Sequence, residues 1–457
     1  MHDLVIIGGG PGGYVAALRA RQLGLDTLLV DRRGEFGGTC LWRGCIPTKT
    51  FLHVAKYLEE TRRAQQWGVK ASAELDMGGL LKFKDRVVAK HAKGIGGLLQ
   101  RRGVAVVVGD AVLLDPRRVQ AAGAVHEARH ILVAAGSVPA SLPGLAIDGR
   151  TVLSSDHALS LPAVPKRVVI IGAGAIGVEF ASIYAAFGAE VTLVEVLPRI
   201  LPIEEPWASE ELEKSLKRRG VKVLAGTRVV ETAPIEGGVR AVWEQEGRRG
   251  QTEADFILLA VGRQPATAGL GLEKCGLVLG PRGTVPVDGF GRTAVPSIYA
   301  IGDVVATPML AHTASREGEV AVEHIAGLEP RPIDYALVPS CTYSLPEVAS
   351  VGMKSKEAGE AGRSVKLGKF PFVANAKASA MGENEGAAFV LRDAATDEVL
   401  GITLVGPHAT ELIMEAGAVL YAGLTSTDLA HMIHPHPTLS EALAEANLDA
   451  LGRAIHL

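Results

Sequence analysis

Two stretches of the chain carry the same succession of apolar and polar positions. Residues 4–7, Leu4-Val5-Ile6-Ile7, are apolar without alternation, the pattern of a strand buried on both faces. Gly8-Gly9-Gly10-Pro11-Gly12-Gly13 follows, then a predicted helix over residues 14–23, then a second apolar strand over 27–30 that ends at Asp31. The pattern returns 164 residues later: a strand over 167–171, Gly172-Ala173-Gly174-Ala175-Ile176-Gly177, a helix to about Phe187, a strand over 190–194, and Glu195. A repeat of this kind predicts two βαβ units. Beyond them, residues 387–391 and 399–405 read as strands and give way to helices rich in Ala, Leu and Glu. Pro139, Pro143 and Gly144 mark a break before the second unit, and Pro330 and Pro332 mark one before the last portion.

The glycine spacing gives both units a ligand. Gly8, Gly10 and Gly13 fit a tight turn, close approach of backbone to a pyrophosphate, and close helix–strand packing; Gly172, Gly174 and Gly177 repeat the set. A helix N-terminus behind such a turn presents unpaired N–H groups and partial positive charge to phosphates. Asp31 lies about twenty residues on, where a carboxylate can bind a ribose hydroxyl. Glu195 takes the same place in the second unit, and a carboxylate there favours NAD by repelling a 2′-phosphate. Arg199 is the nearest cation to that position.

Composition changes the picture only by exclusion. The 457 residues have a formal net charge of −3, which gives no reason to expect nucleic acid or an anionic membrane as partner. No apolar run reaches membrane-spanning length and no signal peptide is evident, so a cytoplasmic location is expected. No third ligand stands near the C-terminal histidines, so no metal is expected. There are four cysteines. Cys275 and Cys341 stand alone and read as small buried filler. Cys40 and Cys45, in Gly37-Gly38-Thr39-Cys40-Leu41-Trp42-Arg43-Gly44-Cys45, follow the first fingerprint closely and suggest a reactive pair. Residues five apart on a regular helix are separated by about 140° around its axis. A disulfide needs Cα atoms about 4.4–6.8 Å apart, so the backbone between them must depart from a plain helix. Two nucleotides and a cysteine pair suggest an electron relay of nicotinamide, flavin and disulfide.

The tail holds a second dense cluster, His434-Pro435-His436-Pro437-Thr438-Leu439-Ser440-Glu441. A histidine here can take thiol protons near neutral pH, and a carboxylate on its other ring nitrogen would fix the tautomer. Two histidines beside prolines also suit a plain surface turn. Thr438 or Ser440 is expected to cap the helix that starts near Glu441.

Taken together and in order, the segments 8–13, 37–49, Ala134-Ala135-Gly136-Ser137, 172–195, Ala260-Val261-Gly262-Arg263-Gln264-Pro265, Tyr299-Ala300-Ile301-Gly302-Asp303, Met309-Leu310-Ala311-His312 and 434–441 resemble the pyridine nucleotide–disulfide oxidoreductases over nearly the whole length. Within that family the chain is most similar to the members that oxidise dihydrolipoyl groups with NAD⁺. The resemblance implies an α/β fold: two Rossmann-like domains for FAD and NAD, plus a C-terminal α+β dimerisation domain. Expected boundaries are an FAD domain at 1–146, an NAD domain at 147–269, a central segment at 270–336 that completes the FAD region, and an interface domain at 337–457. It also implies roles. Cys45 would be the thiol beside the flavin and Cys40 the interchange thiol. His436 would be the base, reaching the pair of the other subunit, with Glu441 orienting it. Lys49 would lie near the reactive flavin edge with Glu179 as its ion-pair partner. Gly38, Thr39, Gly136, Ser137, Gly262, Arg263, Gly302, Asp303, Leu310, Ala311 and His312 would join the fingerprint residues in holding cofactors. The implied partners are a second copy of the chain and a lipoyl-carrying acyltransferase or carrier protein of a multienzyme complex.

The chain departs from the family pattern at a few positions. Trp42-Arg43 stands where Asn-Val is common, and Arg43 is expected to add positive charge near the thiols or alter partner docking. Thr48 and Thr50 replace Ser and Ala, and Leu345 replaces a common His. A glutathione-type reductase using NADPH is disfavoured by Glu195. Mercuric reductases end in an extra cysteine pair that this chain lacks, soluble transhydrogenases lack one redox cysteine, and a flavin-bearing binding protein would have lost Cys40, Cys45 or His436.

Overall fold

The structure, a computed structural model, describes residues 1–457. The chain divides into two compact units, each drawn from three stretches. The first comprises Met1–Thr50, Asp76–Ala140 and Gly262–Tyr335; the second comprises Phe51–Leu75, Ser141–Val261 and Ala336–Leu457.

The first unit is organised by strands β1 (His2–Ile7) and β2 (Thr27–Asp31), joined by helix α1 (Pro11–Gln22). They pair in parallel with Leu4 opposite Thr27 and Ile7 opposite Val30. Strand Ala105–Val108 extends the sheet beyond β2, and Ala124–Val133 lies on the other side of β1, followed by Ile298–Ala300. The order of strands therefore reverses at β1, which opens a crevice at the carboxyl ends of the strands. Alternate residues feed two cores. Val5, Ile7, Leu28, Val30 and Val133 face one way, and Leu4, Ile6, Leu29 and Leu132 face the other against Ala16, Ala17 and Ala20 of α1. This two-sided burial is why the strands read as unbroken apolar runs. Helix Ala311–Ile325 presses against α1. A Cβ on Gly318 would come within 2.7 Å of the Gly12 carbonyl oxygen, so small residues set that approach.

The second unit repeats the parallel design. Its sheet runs in the order Lys222–Leu224, Glu190–Val194, Arg167–Ile171, Phe256–Leu259, Val152–Leu153, with helix Ala175–Phe187 as the crossover. Strands Thr227–Ile235, Gly238–Gln245 and Arg248–Ala254 form a separate antiparallel meander. The C-terminal portion is a five-stranded antiparallel sheet, Ser340–Thr342, Glu347–Gly352, Val399–Gly406, Ala387–Asp393 and Val365–Pro371 in spatial order. Helices Ala409–Ala422, Ser426–His431 and Glu441–Ala450 pack on it through Ile413, Val419, Leu429 and Leu443. No helix is long and apolar enough to cross a membrane.

Candidate active site

The two fingerprints fold to the same geometry. Gly8 and Gly172 have φ of +108° and +98°, and a Cβ would lie 2.2 Å from the Ala134 oxygen at the first and 2.5 Å from the Ala260 oxygen at the second. Gly13 and Gly177 pack onto their own turns: a Cβ would lie 1.8 Å from the Gly8 oxygen and 1.9 Å from the Gly172 oxygen. Gly10 and Gly174 differ, because a Cβ at either would meet nothing within 4 Å. Both cap their helices without a side-chain hydrogen bond, and neither first turn holds an acidic residue. Open space in front of uncapped amides is what a pyrophosphate requires, so each turn fits a dinucleotide. The carboxylates at the strand ends brace these turns. Asp31 Oδ2 accepts the Gly9 N–H at 2.9 Å, and Glu195 Oε2 accepts the Ala173 N–H at 2.7 Å. Glu195 also accepts the Leu197 N–H at 2.8 Å and is buried. Arg199 turns to the Pro202 carbonyl at 3.1 Å.

The cysteine stretch is fastened to the first turn. Gly37 donates its N–H to the Gly9 oxygen at 2.8 Å, and a Cβ on Gly38 would sit 2.6 Å from Gly10 Cα. Helix α2 (Gly38–Arg43) carries Thr39 and Cys40, and helix α3 (Cys45–Arg63) begins at Cys45 and carries Lys49. Gly44 breaks the helix between them, at φ −138° and ψ −115°. The break lets the Cys40 thiol hydrogen-bond Cys45 instead of pointing away from it. That hydrogen bond, then burial, then negative charge on Cys45 push the Cys40 thiol up, while the Lys49 ammonium opposes them. Cys45 is the leading residue of a 19-residue helix, whose amide dipoles suit a thiolate there. Thr48 and Thr50 turn their hydroxyls back onto the Gly44 and Ile46 carbonyls at 2.7 and 2.9 Å.

Other expected residues gather in the first unit. Strands Ser137–Pro139 and Arg263–Pro265 pair antiparallel beyond Gly136 and Gly262. Ser137 Oγ donates to Asp303 and accepts from Arg263 Nε at 2.7 Å, while Arg263 Nη2 reaches the Ser137 carbonyl at 2.8 Å. Helix Ala311–Ile325 starts at the Leu310-Ala311-His312 segment with no side-chain cap and no acid in its first turn. In the second unit, Glu179 Oε1 accepts the Tyr343 N–H at 2.9 Å. His436 Nδ1 lies 2.9 Å from Glu441 Oε1, and the imidazole is 72% exposed, open to a reacting group.

Three features were not anticipated. Arg43 does not stand alone as an added charge: Glu35 ion-pairs it, and Trp42 Nε1 donates to the Phe36 carbonyl at 3.1 Å. Neither Thr438 nor Ser440 caps the last helix by its side chain. Ser440 makes no cap bond and Thr438 Oγ1 donates to the Pro435 carbonyl, while Glu441 Oε2 takes the Thr438 N–H at 2.8 Å. Glu317, unremarked in the sequence, is buried and accepts the Gly302 N–H at 2.6 Å and the Tyr335 hydroxyl at 2.9 Å, bracing the Gly302-Asp303 turn. Burial pushes its carboxyl up. Cys275 is core filler as expected, whereas Cys341 is only partly buried.

Two dinucleotide turns, with a cysteine pair packed on the first, are the equipment of a two-electron oxidoreductase acting on disulfides. Residues 2–318 match the pyridine nucleotide-disulphide oxidoreductase family, and residues 338–447 match its dimerisation domain. Dihydrolipoyl dehydrogenases from Bacillus subtilis and Thermus scotoductus are 41% and 44% identical, each matched over 100% of this chain and 99% of the relative. The crystal structure of LpdA from Mycobacterium tuberculosis superposes with a TM-score of 0.90 at 30% identity, over 97% of this chain and 99% of that one. An HOCl-induced flavoprotein disulfide reductase from Escherichia coli, RclA, gives 0.87 at 28% identity over 97% and 99%. The chain belongs to the pyridine nucleotide-disulphide oxidoreductase family.

Proposed function

We propose that this protein is an FAD- and NAD-dependent enzyme that oxidises dihydrolipoyl groups to the cyclic disulfide. The end-to-end likeness to dihydrolipoyl dehydrogenases supports the substrate, and the Cys40–Cys45 contact across the Gly44 break is the observation that carries the chemistry. Starting from the Cys40–Cys45 disulfide, a substrate thiolate attacks Cys40, the S–S bond breaks, and Cys45 leaves as thiolate. The second substrate thiol displaces Cys40, which closes the substrate disulfide and leaves the enzyme pair reduced. His436 takes the proton of the attacking thiol, and Glu441 holds its Nδ1–H. The dipole of α3 and the Lys49 charge steady the thiolate beside the first dinucleotide. FAD supplies the two-electron step that joins thiol to hydride chemistry, and NAD⁺ is the final acceptor. Gly8, Gly10 and Gly13 with Asp31 hold the first cofactor, with Ser137, Arg263 and Asp303 positioned by their own network; Gly172, Gly174, Gly177 and Glu195 hold the second.

In this reading the base serves the cysteine pair of a second copy, so a homodimer is the working unit, acting in the cytoplasm on a lipoyl-carrying acyltransferase or carrier protein. The domain boundaries proposed are 1–146, 147–269, 270–336 and 337–457.

The test is NADH formation by the flavin-loaded protein from dihydrolipoamide and NAD⁺, with NADP⁺ in parallel. Turnover with NAD⁺ that Cys45→Ser abolishes is expected. Turnover confined to NADPH and a different disulfide would refute the reading.

A further inference from the structure

A second histidine–carboxylate pair lies beside the first. His434 Nε2 is 2.7 Å from Glu415 Oε1, and its side chain is only 8% exposed. Glu415 belongs to helix Ala409–Ala422. The ring also hydrogen-bonds the backbone of Met432. A neutral imidazole has one N–H and can donate to only one acceptor, whereas the imidazolium donates to both. The Glu415 hydrogen bond raises the proton affinity of His434 against the opposing effect of burial, and the charge of Glu441 adds to it. The influence is mutual. Burial pushes Glu441 up, but the Thr438 amide, His436 and the charge of His434 together bring it below the usual carboxylate range. The charged groups acting on His434 are thus Glu415, from the helix that packs over the loop, and Glu441, at the start of helix Glu441–Ala450.

We propose that His434 is a positioning residue of the site: a buried imidazolium, with Glu415 as its counter-ion, that keeps Glu441 ionised and directed at His436. The inference rests on His436 being the base. Glu441 uses Oε1 for His436 and Oε2 for the Thr438 N–H, and both contacts need an acceptor carboxylate. Without the neighbouring cation, Glu441 takes up a proton at higher pH and releases His436. The base needs its carboxylate partner to accept a thiol proton, so loss of Glu441 as an acceptor at higher pH moves the acid limb of the activity upward.

The experiment uses His434→Gln and Glu415→Gln in the full-length, flavin-loaded protein. It reads the pH dependence of kcat/KM for dihydrolipoamide oxidation by NAD⁺. NADH-driven reduction of ferricyanide, which moves no thiol proton, serves as control. In both variants the acid limb moves up, so that kcat/KM falls about tenfold on the acid side for each unit of displacement and recovers toward high pH. The loss is confined to the dithiol reaction, and the double variant is no worse than His434→Gln alone, because the two residues act as one unit. An acid limb that stays in place overturns the proposal, as does an equal loss at every pH and in both assays, which marks a structural role. Should His434→Gln fail to hold flavin, Glu415→Gln, which preserves shape and removes only charge, decides between the same two outcomes. A wild-type protein that reduces ferricyanide yet never oxidises dihydrolipoamide refutes the functional reading, and this inference with it.

Discussion

Single residues in this chain act by holding backbone as much as by touching ligand. Glu195 is the clearest case. Its two oxygens accept N–H groups from Ala173 and Leu197, so the carboxylate fixes the second glycine turn, the one proposed to hold NAD⁺. A buried negative charge at that point repels a 2′-phosphate. Glu195→Gln keeps one acceptor oxygen and removes the charge. The ratio of kcat/KM for NAD⁺ over NADP⁺ should fall about tenfold, corresponding to about 1.4 kcal/mol of discrimination. Steady-state kinetics with both nucleotides measures it, and an unchanged ratio would assign the selectivity elsewhere. The Glu35–Arg43 pair acts in a similar way, tying the end of α2 to the loop that follows Asp31, whose Oδ1 accepts the Glu35 N–H at 3.2 Å.

At the scale of elements, the glycine turns separate folding from binding. Gly177 lies against the Gly172 carbonyl, so Gly177→Ala must push helix Ala175–Phe187 off its strand and should destabilise by about 1–3 kcal/mol. Gly174→Ala meets no protein atom within 4 Å, so the fold should tolerate it while the methyl intrudes on the pyrophosphate space. The expected outcome is a normal thermal transition with KM for NAD⁺ raised about tenfold or more for Gly174→Ala, since each 1.4 kcal/mol of lost binding is tenfold. Gly177→Ala should instead lower the transition. Thermal melts and kinetics on the pair decide it, and a lowered melt for Gly174→Ala would mean that the space is not ligand space. These two units were legible in the sequence because their strands are buried on both faces and their turns demand glycine, features written locally. The helix break between the cysteines was legible as a geometric necessity, and the structure locates it at Gly44. The meander Thr227–Ile235, Gly238–Gln245 and Arg248–Ala254 was not legible. Its mixed exposure gives no clean alternation, with exposed Arg228, Glu231 and Arg248 among partly buried neighbours. Nor were Glu317, the Glu35–Arg43 pair or the His434–Glu415 pair. Each depends on a contact between elements, and nothing in the local pattern of a charged residue says which partner will receive it.

For the whole molecule, the question is what one copy leaves incomplete. The C-terminal portion exposes large apolar side chains, among them Ile433 at 97%, Tyr421 at 68% and Met414 at 59%, in the region matching the family's dimerisation domain. His436 stands among them, its ring directed to solvent. In the proposed function, a twofold dimer covers these residues and brings His436 of each copy to the cysteine pair of the other, and an isologous interface makes the two sites equivalent. This arrangement has a consequence that an in-chain site does not share. Cys45→Ser and His436→Gln should each abolish dithiol oxidation as homodimers. A heterodimer isolated through two different affinity tags, with one substitution on each chain, combines an intact Cys45 with an intact His436 at one of its two sites. Such a heterodimer should recover about half the wild-type activity per dimer, because the symmetry of the pair leaves the other site doubly broken. If His436 instead served the cysteines of its own chain, both sites of the heterodimer would lack one group and no activity would return.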